Sequence, residues 1–399
     1  MISSDSNICL LLKSKDEVDF YERILKGLNF NKFKSFTDSD EAYEHVIRNQ
    51  FELFITRMEV SPMSGLVFIQ KIRETGNYGL ESHLFIADKV SGDHICTLQD
   101  LDLPYVLVKP FTVDRVEEKL NYMSKIENNL TEFEEGYRNA KTAFFNKLDD
   151  MALELTKSLV DANPDNPKAR LLLGDIYLHK EDYDQAQRCF EHVLEKDPKS
   201  GPSKIRMAKI LMARNNFLDA SQHLNDLAKV NPHHIKVLEN AGLSNFEIKE
   251  YKTAKKHMKQ LVAIDKDNLV AQQIETKVEF RSGNIAASLP KLKETMTDSE
   301  LIYFANNEAL RVLNETEDTK AAVAVFEEVL SEVHENVFRY VLYFNAGQLY
   351  WKMGDLDSAR KAFIKAIEIN PNYDKPRHAL KKLREKIKEE QQSSPKASA

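Results

Sequence analysis

The sequence has little of what covalent and metal chemistry needs. It holds three cysteines in 399 residues, Cys9, Cys96 and Cys189. They lie far apart, with no CxxC and no histidine at metal-ligand spacing, so neither a disulfide framework nor a zinc site is encoded. Each reads as a small buried apolar residue in a reducing compartment. There is no glycine-rich phosphate loop, no nucleophile elbow and no HExxH. His233-His234, His94 and His334 have no partner in sequence and read as surface histidines in turns. No metal, no cofactor and no catalytic activity are therefore expected. Long apolar runs are missing too. Ile8 to Leu12 is five residues, against the roughly 20 that a membrane span takes. No signal segment or membrane insertion is expected, and the cytoplasm is the expected compartment. A net charge of -7 gives no electrostatic case for a nucleic-acid partner.

What is present is a repeat. Residues 167–200 read as two short helices joined by Lys180-Glu181-Asp182 and closed by Pro198. Leu173, Gly174 and Tyr177 share one face of the first helix; Ala186, Phe190 and Val193 share one face of the second. Two helices this short cannot bury those faces without neighbours of the same kind. The pattern returns every 34 residues, through Ala208, Ala220 and Leu224, then Gly242, Ala254 and Met258, and finally Gly347, Ala359 and Phe363. Small residues at the eighth and twentieth positions admit close helix approach, and large ones at positions 7, 11 and 24 fill the space between units. Period and pattern together resemble the tetratricopeptide repeat. Seven copies fit, over 133–371, with three extra residues (Val337 to Arg339) before the last. A helix over 372–391 follows and reads as the solvating end cap, and 392–399 as a disordered tail.

The resemblance implies a concave groove lined by the first helix of each unit. The positions it assigns there include Leu171 and Asp175; Ile205, Lys209 and Met212; Glu239, Leu243 and Phe246; Asn307 and Arg311; and Phe344, Gln348 and Trp351. Apolar anchors with charges of both signs suit a peptide or a partner helix. Trp351, the single tryptophan, fits either a groove anchor or a place under the end cap.

Residues 1–125 have a different texture. Short apolar runs (Ile8–Leu12, Leu53–Ile55, Leu84–Ile86, Tyr105–Val108) alternate with amphipathic segments, the pattern of a doubly wound α/β layer with a parallel sheet. Pro62-Met63-Ser64-Gly65 after the third run, and Lys109-Pro110-Phe111-Thr112 after the last, resemble the matching turns of bacterial response-regulator receiver domains, which have a flavodoxin-like fold. The resemblance places the acidic metal-binding pair at Lys13-Ser14, the phosphoacceptor at Arg57 and the hydroxyl position at Ala87; of that set, Lys109 alone is kept. Mg²⁺ wants carboxylate oxygens, and an arginine cannot form an acyl phosphate. The expectation is a pseudo-receiver whose cations are neutralised by Glu59 and Asp88, or by a resident anion. Phosphorylation elsewhere, as on Thr56, is a further option. Residues 126–132 read as a helical linker running straight into the first repeat.

The sequence thus predicts a multidomain chain, an α/β doubly wound domain followed by an all-α superhelix. Its expected role is that of a non-catalytic signalling or assembly adaptor, holding a partner protein in the groove and docking another, or a second copy, through the pseudo-receiver. Two rivals stay open: an anion or nucleotide sensor built on the Lys13/Arg57/Lys109 pocket, and a phosphatase or sequestering factor for another two-component protein, acting through a groove side chain such as Gln348.

Overall fold

The structure is a computed structural model that describes residues 4–334 and 338–393, with side chains as far as Lys388. Five strands, β1 (Ile8–Leu11), β2 (Phe33–Phe36), β3 (Leu53–Arg57), β4 (Ser82–Ala87) and β5 (Val106–Val108), form one parallel sheet in the order β2-β1-β3-β4-β5. The three central strands are buried along their whole length, as continuous apolar runs in a parallel sheet must be, whereas the edge strands are partly exposed. Leu10 pairs with Ile55, and Ile55 with Leu84. Helices α1 (Lys15–Gly27), α2 (Ser39–Val46), α3 (Gly65–Glu74), α4 (Gly92–Asp100) and α5 (Val113–Asn128) connect and follow the strands. Each begins at a side-chain cap, from Ser14, Asp38, Ser64, Ser91 and Thr112 respectively, which satisfies amide groups that a helix start leaves open. The sequence pattern did not reveal α4. Its start is a capping box between Ser91 and His94, and its apolar face is short.

The expected continuous helix into the repeats is broken. The segment from Asn129 to Thr131 separates α5 from α6 (Glu132–Phe145). Thr131 and Glu134 form a capping box there, so the local side chains favour a fresh start over continuation.

From α6 onward the described residues form helix pairs: α6 with α7 (Asp149–Ala162), α8 (Pro167–His179) with α9 (Tyr183–Lys196), α10 (Gly201–Ala213) with α11 (Phe217–Val230), and α12 (Ile235–Glu247) with α13 (Tyr251–Ile264). Then come α14 (Leu269–Arg281) with α15 (Ile285–Thr295), α16 (Asp298–Thr316) with α17 (Thr319–Glu332), and α18 (Arg339–Lys352) with α19 (Leu356–Ile369). The turn inside each pair carries one left-handed residue, at Lys147, Glu181, Asn215, Lys249, Gly283, Glu317 and Gly354. Those positions recur at the sequence period, with the three-residue insertion falling before the last; part of that insertion lies outside the described residues.

The small-to-large rule of the repeat has a direct geometric cause. Gly174 faces Phe190, Gly242 faces Met258 and Gly347 faces Phe363 within their own pairs. A methyl group on Gly347 would stand 2.7 Å from the Phe363 ring. The glycine lets the first helix close onto the large side chain of the second.

The chain divides into two compact units, residues 1–271 and 272–399. The first holds the α/β layer together with α6 to α13. Its α/β core gathers Leu10, Ile55, Leu84, Val116 and Leu120, and its repeat cores gather Ala169, Ala186, Phe190 and Ile210. The second unit has one cluster around Phe280, Phe304, Phe326 and Val329 and another around Phe344, Phe363, Leu380 and Leu383. Leu380 and Leu383 belong to α20 (Asp374–Ser393), which covers the last pair. Gln392 and Ser393, expected in a disordered tail, end this helix; residues 394–399 lie outside those described.

Candidate functional site

The strand order reverses between β1 and β3, and the carboxyl ends of those strands open a crevice where ligands of such sheets bind. Arg57, the last residue of β3, fills it. Its side chain is about 1 % exposed and meets three carboxylates. Nε lies 3.0 Å from Glu59 Oε2, Nη1 lies 3.6 Å from Glu17 Oε1, and Nη2 makes a close ion pair with Asp88. Burial disfavours the guanidinium charge, yet the Asp88 hydrogen bond with Glu17 and Glu59 raises its pKa above the usual arginine range. Lys109 Nζ donates to Glu17 Oε1 at 2.5 Å, and the Lys13 amide donates to Glu17 Oε2 at 3.1 Å. Burial alone would raise Glu17; the Lys109 and Lys13 hydrogen bonds and the Arg57 charge hold it below the usual carboxylate range.

Lys109 therefore pairs with Glu17, not with Asp88. Sequence order left Glu17 out because it sits on α1, a strand away from Arg57. The signal was local: Ser14 is the N-cap of α1, which puts Glu17 at the helix start beside the crevice. Of the other expected pocket residues, Lys13 offers its backbone with its side chain exposed, and Ala87 is fully buried at the end of β4. Thr56 is fully buried, so it is closed to a modifying enzyme. Gly65 is fixed by close approach: a methyl there would overlap the Arg57 carbonyl.

The groove positions behave differently in the two units. In the first, Ile205, Glu239 and Phe246 are buried, correcting their expected place on an open surface. Leu171, Met212 and Leu243 are half-buried. Asp175 is held by Arg206 in a two-point ion pair with both contacts at 2.7 Å. Lys209 is exposed. In the second unit, Asn307 and Gln348 are exposed, and Arg311 pairs with Glu308 and Glu315. Phe344 is buried against Phe363 and Tyr373, so it belongs to the end-cap core and not to a groove. Trp351 packs half-buried on that same cluster, edge-on to Phe363.

Phe246 packs on Tyr251 of its own pair; at the helix starts the first unit has a seam that the sequence did not reveal. Helices α3 and α4 of the α/β layer lie against the starts of α8, α10 and α12. Gln70, itself buried, accepts from the Ile235 amide at 2.8 Å and donates to the His233 carbonyl at 2.9 Å. It thereby caps α12, whose own N-cap residue His234 supplies no side-chain bond. Asp100 accepts from Asn231 and sits where a methyl on Gly201 would be, at the start of α10. Asp102 pairs with Lys168 at 2.9 Å, Glu74 with Lys236 at 3.2 Å and Lys71 with Asp265 at 3.0 Å. His94 stacks on His233, with ring centroids 4.6 Å apart. His234 is buried, and burial pushes its pKa down to about 4. These histidines are thus seam residues, not isolated surface ones. Burial lifts the Asp100 carboxyl to about 6 despite the Asn231 bond. A cavity of about 750 Å³ lies between Asp100, Asp102, Leu171, Asp175 and Arg206.

Among the described residues no group of three histidines, cysteines or carboxylates could hold a metal ion, and no helix is long and apolar enough to cross a membrane. Residues 119–268 match the profile of the cytochrome c-type biogenesis protein H TPR domain, and residues 340–373 match a tetratricopeptide repeat profile. A TPR repeat-containing protein of Methanocaldococcus jannaschii is 22 % identical over 214 residues, 53 % of this chain and 34 % of that protein. The chain thus spans about a third of the length of that curated relative. A tetratricopeptide repeat protein from Parabacteroides merdae is 19 % identical, covering 63 % of this chain and 98 % of its own, with a TM-score of 0.42. MamA from Desulfovibrio magneticus RS-1 is 16 % identical, covering 42 % and 96 %, with a TM-score of 0.38. The helix pairs within residues 119–268 and 340–373 are tetratricopeptide repeats, and a five-stranded parallel α/β region precedes them.

Proposed function

We propose that the protein is a non-catalytic adaptor. Its repeats bind partner proteins, and its α/β region is a receiver-like domain that has lost phosphorylation. Tetratricopeptide repeats generally serve as scaffolds for protein contacts, which supports the first half. The strand order 2-1-3-4-5 and the positions of Gly65 and Lys109 support the second. The observation that carries the reading is Arg57. It stands where a receiver-like domain would present its acceptor, buried and held by Glu17, Glu59 and Asp88. Three carboxylates already answer the cations Arg57, Lys109 and Lys13, so the crevice offers little net attraction for an anion, and the sensor reading is the weaker one. No observation favours action on a partner's phosphoaspartate through Gln348. Self-association through the outer helices of the α/β region belongs to the same adaptor reading, and the protein's mass in solution reads it out.

The test is incubation with acetyl phosphate and Mg²⁺, followed by intact mass and melting temperature. Unchanged mass and unchanged melting are expected. A mass gain of one phosphoryl group overturns the reading. Stabilisation without a mass gain, lost in Arg57→Ala, would restore the anion sensor.

A further inference from the structure

We infer that the groove floor formed by α8, α10 and α12 is a binding site for an acidic helical segment of a partner protein, held shut in this chain by its own α3 and α4. The inference rests on the adaptor reading and names the surface and the chemistry of what it takes.

Charge complementarity carries it. The floor presents Lys168, Arg206, Lys209 and Lys236. Asp175 answers Arg206, and Glu239 shares Lys236 with Glu74. Lys209 is exposed and makes no ion pair among the described residues, while partial desolvation in the groove and the Arg206 and Lys236 charges hold its ammonium below the usual lysine range. The face that α3, α4 and the turn after α4 set against this floor is mostly the complement: Glu74, Asp100 and Asp102, with the Gln70 amide between them and one cation, Lys71, answered by Asp265. Asp100 and Gln70 engage the first residues of α10 and α12, where helix amides favour negative charge and acceptors. The ends of α3 and α4 and the turn after α4 thus already set acids against the starts of these helices, and a partner helix bearing acids would replace them in the helix-in-groove manner by which such surfaces take partners.

The fit is incomplete in a way that permits exchange. Burial raises the pKa of Asp100 and of Glu74 above the ordinary carboxylate range, so these acids hold their charge at some cost. A half-open cavity of about 750 Å³ is lined by Asp100 and Asp102 together with Leu171 and Arg206, so this part of the floor is not close-packed. A partner whose acids reach Lys209 as well would satisfy a cation that α3 and α4 leave open.

The test uses the full-length protein and two probes, a fluorescein-labelled amphipathic helix of Glu, Ala and Leu, and the same helix with Lys for Glu. In the variant Glu74→Lys/Asp100→Lys/Asp102→Lys the roof faces like charge and should release. Hydrogen exchange at the Ile235 amide reports that release before any probe is added. The acidic helix should bind this variant at least about tenfold more tightly than the wild type, the gain expected when the site is closed in about nine of ten molecules or more. The basic helix should not bind, and adding Lys209→Glu should remove most of the gain. Equal affinity for wild type and variant overturns the inference, as does a preference for the basic helix. Release of the Ile235 amide without binding overturns it too, and a variant that dimerises through the exposed floor assigns the site to a second copy instead. If the triple variant loses its helical circular dichroism, the wild type and Lys209→Glu are compared directly. Weaker binding of the acidic helix by the variant supports the inference, and equal binding overturns it. The acetyl phosphate assay is blind to these substitutions, so failure here and failure of the adaptor reading are told apart.

Discussion

Two stretches of the same repeat pattern face opposite fates. On α10 and α12, Ile205, Glu239 and Phe246 are buried. On α16, Tyr303 and Leu310 stand 71 % and 45 % exposed, with Asn307 and Asn314 exposed beside them on one helical face. The repeat period says which positions leave the repeat's own core. It does not say whether something else in the chain covers them. At the start of α12 part of the cover is α3, and its composition records the fact: Leu66, Val67, Phe68, Ile69, Gln70 and Ile72 are all buried. A helix buried on nearly every side has packing partners on opposite faces. The sheet is one of them, and the Gln70 bonds to His233 and Ile235 place the repeats on the other.

The strongest way to break this contrast is Gln70→Ala. It orphans the Ile235 amide and the His233 carbonyl inside the seam, and should cost about 2–4 kcal/mol in denaturant unfolding of the first unit. Gln348→Ala, on an exposed side chain, should stay within about 0.5 kcal/mol. Equal effects would mean that the seam is not formed in solution. Gly201→Ala is next. The new methyl meets the Asp100 carboxylate, which can swing away only by giving up Asn231, so a loss of about 1–2 kcal/mol is expected. In an Asp100→Ala background the same change should cost almost nothing, and the double-mutant cycle measures the coupling.

Asp100→Asn sharpens the comparison through pH. The folded carboxyl has a pKa near 6, above its unfolded value. The stability it contributes is therefore fully present below the unfolded value and is lost as pH rises through about 6. Asparagine removes that loss, so the variant should be the more stable at pH 7.5, by about 1 kcal/mol with solvent screening included. The gap should close by pH 4. Charging of His233, whose pKa burial holds below the usual histidine range, acts in the opposite sense on acidification, but it is common to both proteins and cancels in their difference.

Much of this molecule was legible in the sequence because its signals are local. The strand runs, the period and the facing of Gly174 and Phe190 each depend on residues within one unit of structure. The cationic crevice was legible as a composition, but Glu17 was not, because its place follows from how α1 crosses the end of β1. The seam was illegible for a stronger reason. Gln70 and Ile235 are 165 residues apart, and neither side chain is unusual in its own neighbourhood. Helix α4, which carries both His94 and Asp100, shows a weak apolar pattern because part of what orders it is polar: a capping box at one end and the Asn231 bond at the other.

The smallest expected effect tests the open side of the contrast. Tyr303→Ser and Leu310→Ser remove large apolar groups from α16 where, in this unit, they are mostly in water. Exposed substitutions of this kind shift stability by no more than about 0.5 kcal/mol each, and apolar burial contributes only in proportion to area taken from water. A combined loss well above about 1 kcal/mol would show that the face is covered in solution. If that loss grew with protein concentration, the cover would be a second copy, because a contact within the chain is blind to concentration. A loss independent of concentration would place the cover within the chain itself, as α3 covers the start of α12 in the first unit. A null result leaves α16 as the free groove face, and sets the partner surface of the second unit apart from the one that α3 and α4 keep shut.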